Sequence, residues 1–236
     1  MDLPDAVGHP AFPGTMEALV ARNGGTVLDV ARGALERHEV EEHVVPGARL
    51  LVPLLPTSFR SDDASDAVRR IVGPDAEVPW PAGAGWLDYV PKVAAVLRRP
   101  LPRGDGEAAS AVFGYTLVSD WSARDATGDP TRHSDALPFA MGPCIATPDE
   151  VDPRTISVTV HVDGRQWAKG NLNGSATDLL ASVIAASRAG DLRAGETFAS
   201  APFDVTRHEH RVWPGARIDL EADGIGVLRN RVVRAG

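Results

Sequence analysis

The apolar positions near the start of the chain recur at helical spacing. Residues 15–38 fit two short helices divided at Asn23-Gly24-Gly25. The predicted apolar faces consist of Met16, Leu19 and Val20 in the first helix and of Leu28, Ala31 and Leu35 in the second. A third helix is predicted after Gly174, where Ser175 can cap it with Asp178 three residues on. Its apolar stripe is Leu179, Leu180, Val183 and Ile184, and Gly190 stands where the helix should end.

Most of the remaining pattern is that of β-strands. Residues 46–56 are predicted to be an entry strand at a domain boundary, and residues 93–97 and 111–118 are apolar runs of strand length. Apolar positions alternate with polar ones over residues 156–162, which predicts a half-buried strand. Two-residue hairpin turns are predicted at Asp163-Gly164 and at Asp223-Gly224. We therefore expect an α+β fold that is mainly β, with a small N-terminal region (residues 1–45) and a β domain (residues 46–236).

Composition excludes several classes of partner. The 236 residues carry a net charge of −8, which argues against nucleic acid or an anionic membrane surface as the main partner. No apolar run approaches the roughly 20 residues of a membrane span, and the start Met1-Asp2-Leu3-Pro4 does not resemble a signal peptide. A cytoplasmic protein is the expectation. The single cysteine, Cys144, follows Gly142-Pro143 in an apolar run and is predicted to be a small buried side chain.

One segment carries a recognisable motif. Residues 113–125 read FGYTLVSDWSARD, which closely resembles the GYT-x-x-x-D-x-S-A-R-D stretch of the fumarylacetoacetate hydrolase superfamily. Further blocks resemble that family in the same order, and they are Met141-Gly142-Pro143, residues 162–167 with Gly170-Asn171, residues 192–196, residues 214–217 and residues 224–230. The resemblance covers roughly residues 46–232. It implies a mixed β-roll, a small-molecule substrate and a homodimer.

The same resemblance implies a magnesium or manganese ion, which this sequence does not favour. The family holds the ion with two glutamates spaced E-x-E on one strand and with an aspartate on the next. Asp120 matches the aspartate, but Val90 and Lys92 occupy the glutamate positions of the segment Asp88-Tyr89-Val90-Pro91-Lys92. Valine cannot bind a metal, and a lysine there brings positive charge into the place of the cation. We therefore predict a pocket without a divalent metal or another cofactor.

Other family positions also differ. In residues 58–65, which match N-Y-R-D-H-x-x-E, Asp62 replaces the histidine and Ser65 the glutamate. The lysine of the family's G-K-S segment is replaced by His133, before Ser134. Residues 199–202 read ASAP in place of the substrate-gripping T-G-T-P loop.

Lys92 is the leading candidate for residual chemistry. On a strand it shares a face with Val90, Ala94 and Val96, so its ammonium should be desolvated unless it is paired, and Asp120 is the natural partner. The ammonium then either replaces the charge of the metal and holds a substrate carboxylate or enolate oxygen, or it is a purely structural ion pair. A Schiff-base role is disfavoured because Asp120 would keep the amine protonated.

The other candidates each have a plain structural alternative. Arg124 can bind a substrate carboxylate or can form a salt bridge with Asp125 or Asp120. His133, Asp62 and Asp120 are the candidate proton donors or acceptors, and an exposed polar loop explains His133 and Asp62 as well. Arg60, Ser134 and Trp167 are candidates for substrate binding because they lie in or beside the matched blocks. His208 and His210 have the spacing of two metal ligands on a strand but lack a third ligand, which favours an exposed strand.

The sequence leads to three functional hypotheses. The first is a divergent enzyme that acts on a keto or enol acid without a metal, by isomerisation, dehydration, decarboxylation or cyclisation. The second is a non-catalytic family member that binds a ligand or a partner protein. The third is a metal-dependent hydrolase of C–C bonds with substituted ligands.

Overall fold

The computed structural model describes residues 7–8, 12–22, 25–36, 43–61, 70–130, 136–172, 179–200 and 211–234. Within them the helices are α1 (Met16–Ala21), α2 (Gly25–Glu36), α3 (Ala108–Ala111) and α4 (Leu179–Ala189). The strands are β1 (Ser58–Ser61), β2 (Ile71–Val72), β3 (Glu77–Trp80), β4 (Trp86–Leu97), β5 (Val112–Arg124), β6 (Phe139–Ala146), β7 (Ser157–Val162), β8 (Arg165–Asn171), β9 (Glu196–Ala199), β10 (Arg217–Ala222) and β11 (Gly226–Arg234). The fold is α+β and mainly β, which confirms the sequence prediction.

The strands form two mixed sheets. The six-stranded sheet has the order β1-β9-β4-β5-β6-β2, and the five-stranded sheet has the order β3-β11-β10-β7-β8. The pairs β1–β9, β2–β6 and β3–β11 are parallel, and the remaining pairs are antiparallel. Among the described helices, none is long and apolar enough to cross a membrane.

The main core lies between the two sheets. One face of the long hairpin β4–β5, here called the inner face, packs side chains such as Leu87, Leu117 and Trp121 against Val160 and Leu220 of the five-stranded sheet. Burial of apolar surface on this scale is the principal stabilising contribution to the fold.

The opposite face of β4–β5, here called the outer face, packs against the N-terminal segment. Leu19 and Val20 of α1 and Leu54 join Ala94 and Val118 in a second, smaller apolar cluster. Thr15 caps α1 by accepting a hydrogen bond from Ala18 N at 3.2 Å, and Leu55 N donates to Glu17 Oε1 at 3.1 Å. These contacts hold the N-terminal segment over one end of the outer face.

Several predicted elements are wrong in detail. Residues 46–56 are irregular and do not form a strand, since Pro46, Pro53 and Pro56 have no N–H to donate to a ladder. The turn at Asp223-Gly224 is a three-residue loop over residues 223–225, because Ala222 pairs with Gly226. The two-residue turn at Asp163-Gly164 is confirmed, with positive φ at both residues (48° and 78°).

Two side chains differ from the predictions, and one helix agrees with them over its described residues. Leu35 is exposed, because the buried face of α2 runs through Ala31 and Ala34 instead. Cys144 is exposed rather than buried, and its thiol donates to Ile225 O at 3.1 Å. Helix α4 buries Leu179 and Val183 and ends at Ala189, before Gly190, as predicted. Its predicted cap at Ser175 and Asp178 lies outside the described residues.

Candidate functional site

The register of the β4–β5 hairpin arranges the polar residues of the outer face in two short rows. Val90 is the direct partner of Asp120, Asp88 that of Ser122, and Trp86 that of Arg124. Because alternate residues of a strand share a face, Asp88, Val90 and Lys92 stand beside Asp120, Ser122 and Arg124. Each strand of the hairpin thus carries one acidic and one basic residue. Lys92 is diagonally opposite Asp120, and Asp88 is diagonally opposite Arg124.

Lys92 lies at the buried end of these rows. Its Nζ is 3.1 Å from Asp120 Oδ2 and 2.6 Å from Ser61 Oγ. The Lys92 side chain has 0% exposure and that of Asp120 has 12%. A charge without solvent is stable only when it is paired and hydrogen-bonded, and both conditions hold here. The predicted pairing of Lys92 with Asp120 is therefore present in the structure, whereas the chemical role of either residue remains a prediction.

Arg124 forms the second ion pair, at the open end of the rows. Its Nη2 lies 3.3 Å from Asp88 Oδ2, and its Nη1 donates to Gly128 O at 3.4 Å. Of the two partners that the sequence suggested, neither Asp120 nor Asp125 fills this role in the described structure. The Asp125 carboxylate instead accepts hydrogen bonds from the Thr127 hydroxyl and from backbone N–H groups of the following loop, which lowers the pKa of that carboxyl.

A cleft opens where β1, at the edge of the sheet, meets α4. This edge cleft has a volume of about 550 Å³, and Arg60, Ser61, Ser182 and Phe198 are among its lining residues. Arg60 lies with its guanidinium carbon 5.5 Å from the centre of the Phe198 ring, and its Nη2 is 3.1 Å from Glu196 Oε2. Ser61 belongs to both features, because it lines the cleft and accepts a hydrogen bond from Lys92. Lys92 itself is fully buried and is not among the residues that line the cleft, so Ser61 is the link between the two features.

Ser61 and Glu196 are site residues that the sequence reasoning missed. Ser61 reaches Lys92 because β1 pairs in parallel with β9, and β9 pairs with β4. A local sequence pattern does not predict such a long-range pairing. Glu196 lies in a block that matched the family, but its burial with Arg60 was not evident from the sequence.

The other predicted site residues are not all brought together. Trp167 lies on β8, at the edge of the five-stranded sheet, where its ring packs 5.7 Å from that of Trp213. It packs against the core between the sheets and not on the outer face that carries Lys92. Asp62, His133 and Ser134, together with His208 and His210, lie outside the described residues.

The donor set of the described residues does not fit a magnesium or manganese ion. Such ions take several oxygen ligands. Among the described residues, no group of three or more His, Cys, Asp and Glu side chains is placed to hold a metal. Val90 directly faces Asp120, and the Asp120 carboxylate is already paired with the Lys92 ammonium.

Comparison with known protein families shows the family to which this chain belongs. The model of the fumarylacetoacetate (FAA) hydrolase C-terminal domain matches residues 56–233. The chain belongs to the fumarylacetoacetate hydrolase family. The match confirms the family predicted from the motif at residues 113–125. It begins ten residues later than the predicted span of residues 46–232 and ends one residue beyond it.

Solved structures of this family share the fold. A fumarylacetoacetate hydrolase from psychrophilic Exiguobacterium antarcticum aligns with a TM-score of 0.76 at 22% identity, over 99% of this chain and 91% of that one. Maleylpyruvate hydrolase from Sphingobium sp. SYK-6 aligns with a TM-score of 0.73 at 21% identity, over 99% and 92%. The 2-hydroxyhepta-2,4-diene-1,7-dioate isomerase from Mycobacterium marinum is 28% identical, with a TM-score of 0.64 over 80% and 79%. A search of proteins of curated function found no match.

Proposed function

We propose that this member of the fumarylacetoacetate hydrolase family acts on a small keto or enol acid without a divalent metal. The Lys92 ammonium takes the electrostatic place of the ion that the family normally holds between its carboxylates. The reaction is an isomerisation, dehydration, decarboxylation or cyclisation, each of which passes through an enol or enolate. The observation that carries the proposal is the fully buried Lys92 Nζ, 3.1 Å from Asp120 and facing Ser61 at the edge cleft.

A buried ammonium is suited to this task on electrostatic grounds. Negative charge that develops on an enolate oxygen is stabilised best by a fixed positive charge in a site with little water, since a low local dielectric strengthens the attraction. Asp120 fixes the position of the ammonium through the 3.1 Å contact with Nζ. Ser61 is the partner nearest to the edge cleft, so a substrate oxygen can share or replace its hydrogen bond to Nζ.

Two arginines near the site, each paired with a carboxylate in the described structure, support the proposal of an acidic substrate. Arg60 stands at the edge cleft with a side chain that is 47% exposed, and Arg124 lies on the same outer face as Lys92. A guanidinium binds a carboxylate with two parallel hydrogen bonds. Asp62 and His133 are the proposed proton donors or acceptors, and Ser134 is a proposed substrate contact.

The names of similar structures support this class of substrate. The isomerase from Mycobacterium marinum, at 28% identity, is named for 2-hydroxyhepta-2,4-diene-1,7-dioate, which is an enol with two carboxylates. This similarity is used to choose the compounds for the test below.

The test is turnover by protein that has been stripped of metal. Metal-stripped protein would be incubated with a panel of 2-oxo and 2-hydroxydienoic acids, with ultraviolet absorbance and mass spectrometry as readouts. We expect turnover that Lys92→Met abolishes and that Lys169→Met, a change of the only other lysine, leaves intact. The double variant Lys92→Met/Asp120→Asn must remain folded and inactive. Turnover that requires added manganese would favour a hydrolase with substituted ligands instead.

A second candidate function is binding without catalysis. It is favoured by the complete burial of Lys92, whose ammonium is already bonded to two side chains of the protein. In that case compounds from the same panel raise the melting temperature but are recovered unchanged. We further propose that the chain forms a homodimer, as the family resemblance implies, which sedimentation velocity would test.

A further inference from the structure

A second pocket, apart from the Lys92 site, lies where the five-stranded sheet meets the start of β4. It has a volume of about 700 Å³, and its walls include Trp80, Trp86, Trp213, Arg211 and Arg234. We propose that this tryptophan pocket binds a planar aromatic carboxylate. The proposal is independent of the function proposed for Lys92.

Strand pairing brings the five side chains together. The isolated bridge between Leu87 and Val212 sets Arg211 and Trp213, which flank Val212, beside Trp86. On the other side, β3 pairs in parallel with β11, so that Trp80 is the direct partner of Arg234. Residues from four separate parts of the chain thus converge on one pocket, with their positions fixed by backbone hydrogen bonds.

The arrangement of charge and rings points to the chemistry of the ligand. The Arg211 guanidinium carbon lies 4.3 Å from the centre of the Trp86 ring, which is a stacked cation–π contact. A stacked guanidinium keeps its N–H donors in its own plane, at its edges, where a carboxylate can accept two of them. Arg234 adds a second positive charge, and the described lining residues include no aspartate or glutamate. The pocket is therefore positive as well as aromatic.

Size and exposure favour a small aromatic molecule. The volume falls within the range of about 300–1,000 Å³ that is typical of small-molecule sites. Trp213 is 45% exposed although its ring packs against Trp167, so an indole face stays open to a ligand. Indole faces attract flat rings by stacking, and the arginines select those rings that carry negative charge.

The pocket is distinct from the Lys92 site. Trp86 and Lys92 are six residues apart on one strand, which corresponds to about 20 Å at the usual rise per residue. Asp88, which pairs with Arg124, lies between them on the same face. A ligand in the tryptophan pocket therefore does not occupy the edge cleft.

Titration calorimetry with 2-naphthoate tests the proposal. We expect saturable binding to the full chain, and at least about tenfold weaker binding by Arg234→Gln and by Arg211→Gln, since each loses a charge-assisted hydrogen bond. Arg165→Gln, which removes the same charge from an exposed position on β8, should bind like the wild type. Uncharged 2-naphthol should bind at least about tenfold more weakly than 2-naphthoate.

Three outcomes overturn the proposal. One is the absence of 2-naphthoate binding by folded wild-type protein. Another is equal binding by the Arg234→Gln and Arg165→Gln variants. The third is a pocket that is covered by a second copy of the chain, in which case Trp213→Ala converts a dimer to a monomer in sedimentation velocity and 2-naphthoate does not bind to the wild-type dimer.

Discussion

The two faces of the β4–β5 hairpin have the same backbone and register but different chemistry. The inner face is mainly apolar, with Leu87, Leu117 and Trp121 buried against the second sheet and with Ser119 as a buried polar residue among them. The outer face carries two ion pairs, of which Lys92–Asp120 is buried and Asp88–Arg124 is partly exposed. The inner face explains why the family fold persists, since packing there does not depend on what the outer face binds. The outer face is where Val90 and Lys92, the two residues that depart from the family's E-x-E motif, are located.

The largest effect is expected from breaking the buried pair on the outer face. Lys92→Met leaves the Asp120 carboxylate without its cation in a site with little water, and it should lower the free energy of unfolding by about 3–5 kcal/mol. The double variant Lys92→Met/Asp120→Asn should recover much of this loss, because no unpaired charge remains. Urea denaturation measures both. A loss below about 1 kcal/mol for the single variant would contradict the role given to this pair.

Truncation of a side chain on the inner face should also lower the free energy of unfolding, but for a different reason. Leu117→Ala opens a cavity at a fully buried position and should cost about 3 kcal/mol. Unlike the change at Lys92, this change leaves the Lys92–Asp120 pair intact, so its cost should not depend on the residue at position 120. Urea denaturation of Leu117→Ala with and without Asp120→Asn tests this, and coupling above about 0.5 kcal/mol would show that the two faces are not independent.

The partly exposed pair on the outer face should matter much less. The side chains of Arg124 and Asp88 are 31% and 22% exposed, so solvent screens their attraction. Arg124→Met should cost about 0.5–1 kcal/mol, and the cost should shrink at high salt. Thermal unfolding at low and high salt provides the measurement. A loss of stability equal to that caused by Lys92→Met would contradict the distinction between the buried and open ends of the outer face.

The smallest effect concerns the contact that fixes the N-terminal segment over the outer face. The backbone N–H of Leu55 holds the pKa of the Glu17 carboxyl below its ordinary value of 4.5. A lowered pKa in the folded state contributes stability that is present above pH 4.5 and is lost as the pH falls through the lowered value. Glu17→Gln should therefore melt slightly below the wild type near neutral pH, and the difference should vanish in acid. A difference that is unchanged by acid would contradict this account.

The sequence predicts the fold of this protein better than it predicts the candidate site. Alternation at residues 156–162 and the Asp163-Gly164 turn identify β7 and its hairpin because both signals are local. The apolar leucines of residues 46–56 predict a strand, but the segment is irregular and Leu50, Leu51 and Leu55 are exposed. Apolar composition alone does not reveal that prolines have removed the donors a strand needs.

The site was predictable only where one hairpin supplies both partners. Lys92 and Asp120 lie on adjacent antiparallel strands, so alternation and family register together predicted their contact. Ser61 and Arg60 come from a strand that joins the sheet beside β9, and the partner of Arg124 was misassigned because both suggested acids are closer in sequence than Asp88. Distance along the chain gives little information about neighbours across a sheet.

Metal binding tests most directly the central claim that a lysine charge replaces the family's cation. Calorimetric titration of metal-stripped protein with manganese would compare the wild type with Val90→Glu/Lys92→Glu, whose folding is confirmed by its melting curve. Residue 90 faces Asp120 and residue 92 shares its face, so the variant places three carboxylates together. We predict no binding by the wild type and micromolar binding by the variant, which a further Asp120→Ala change abolishes. Micromolar binding by the wild type that depends on Asp120 would contradict the account.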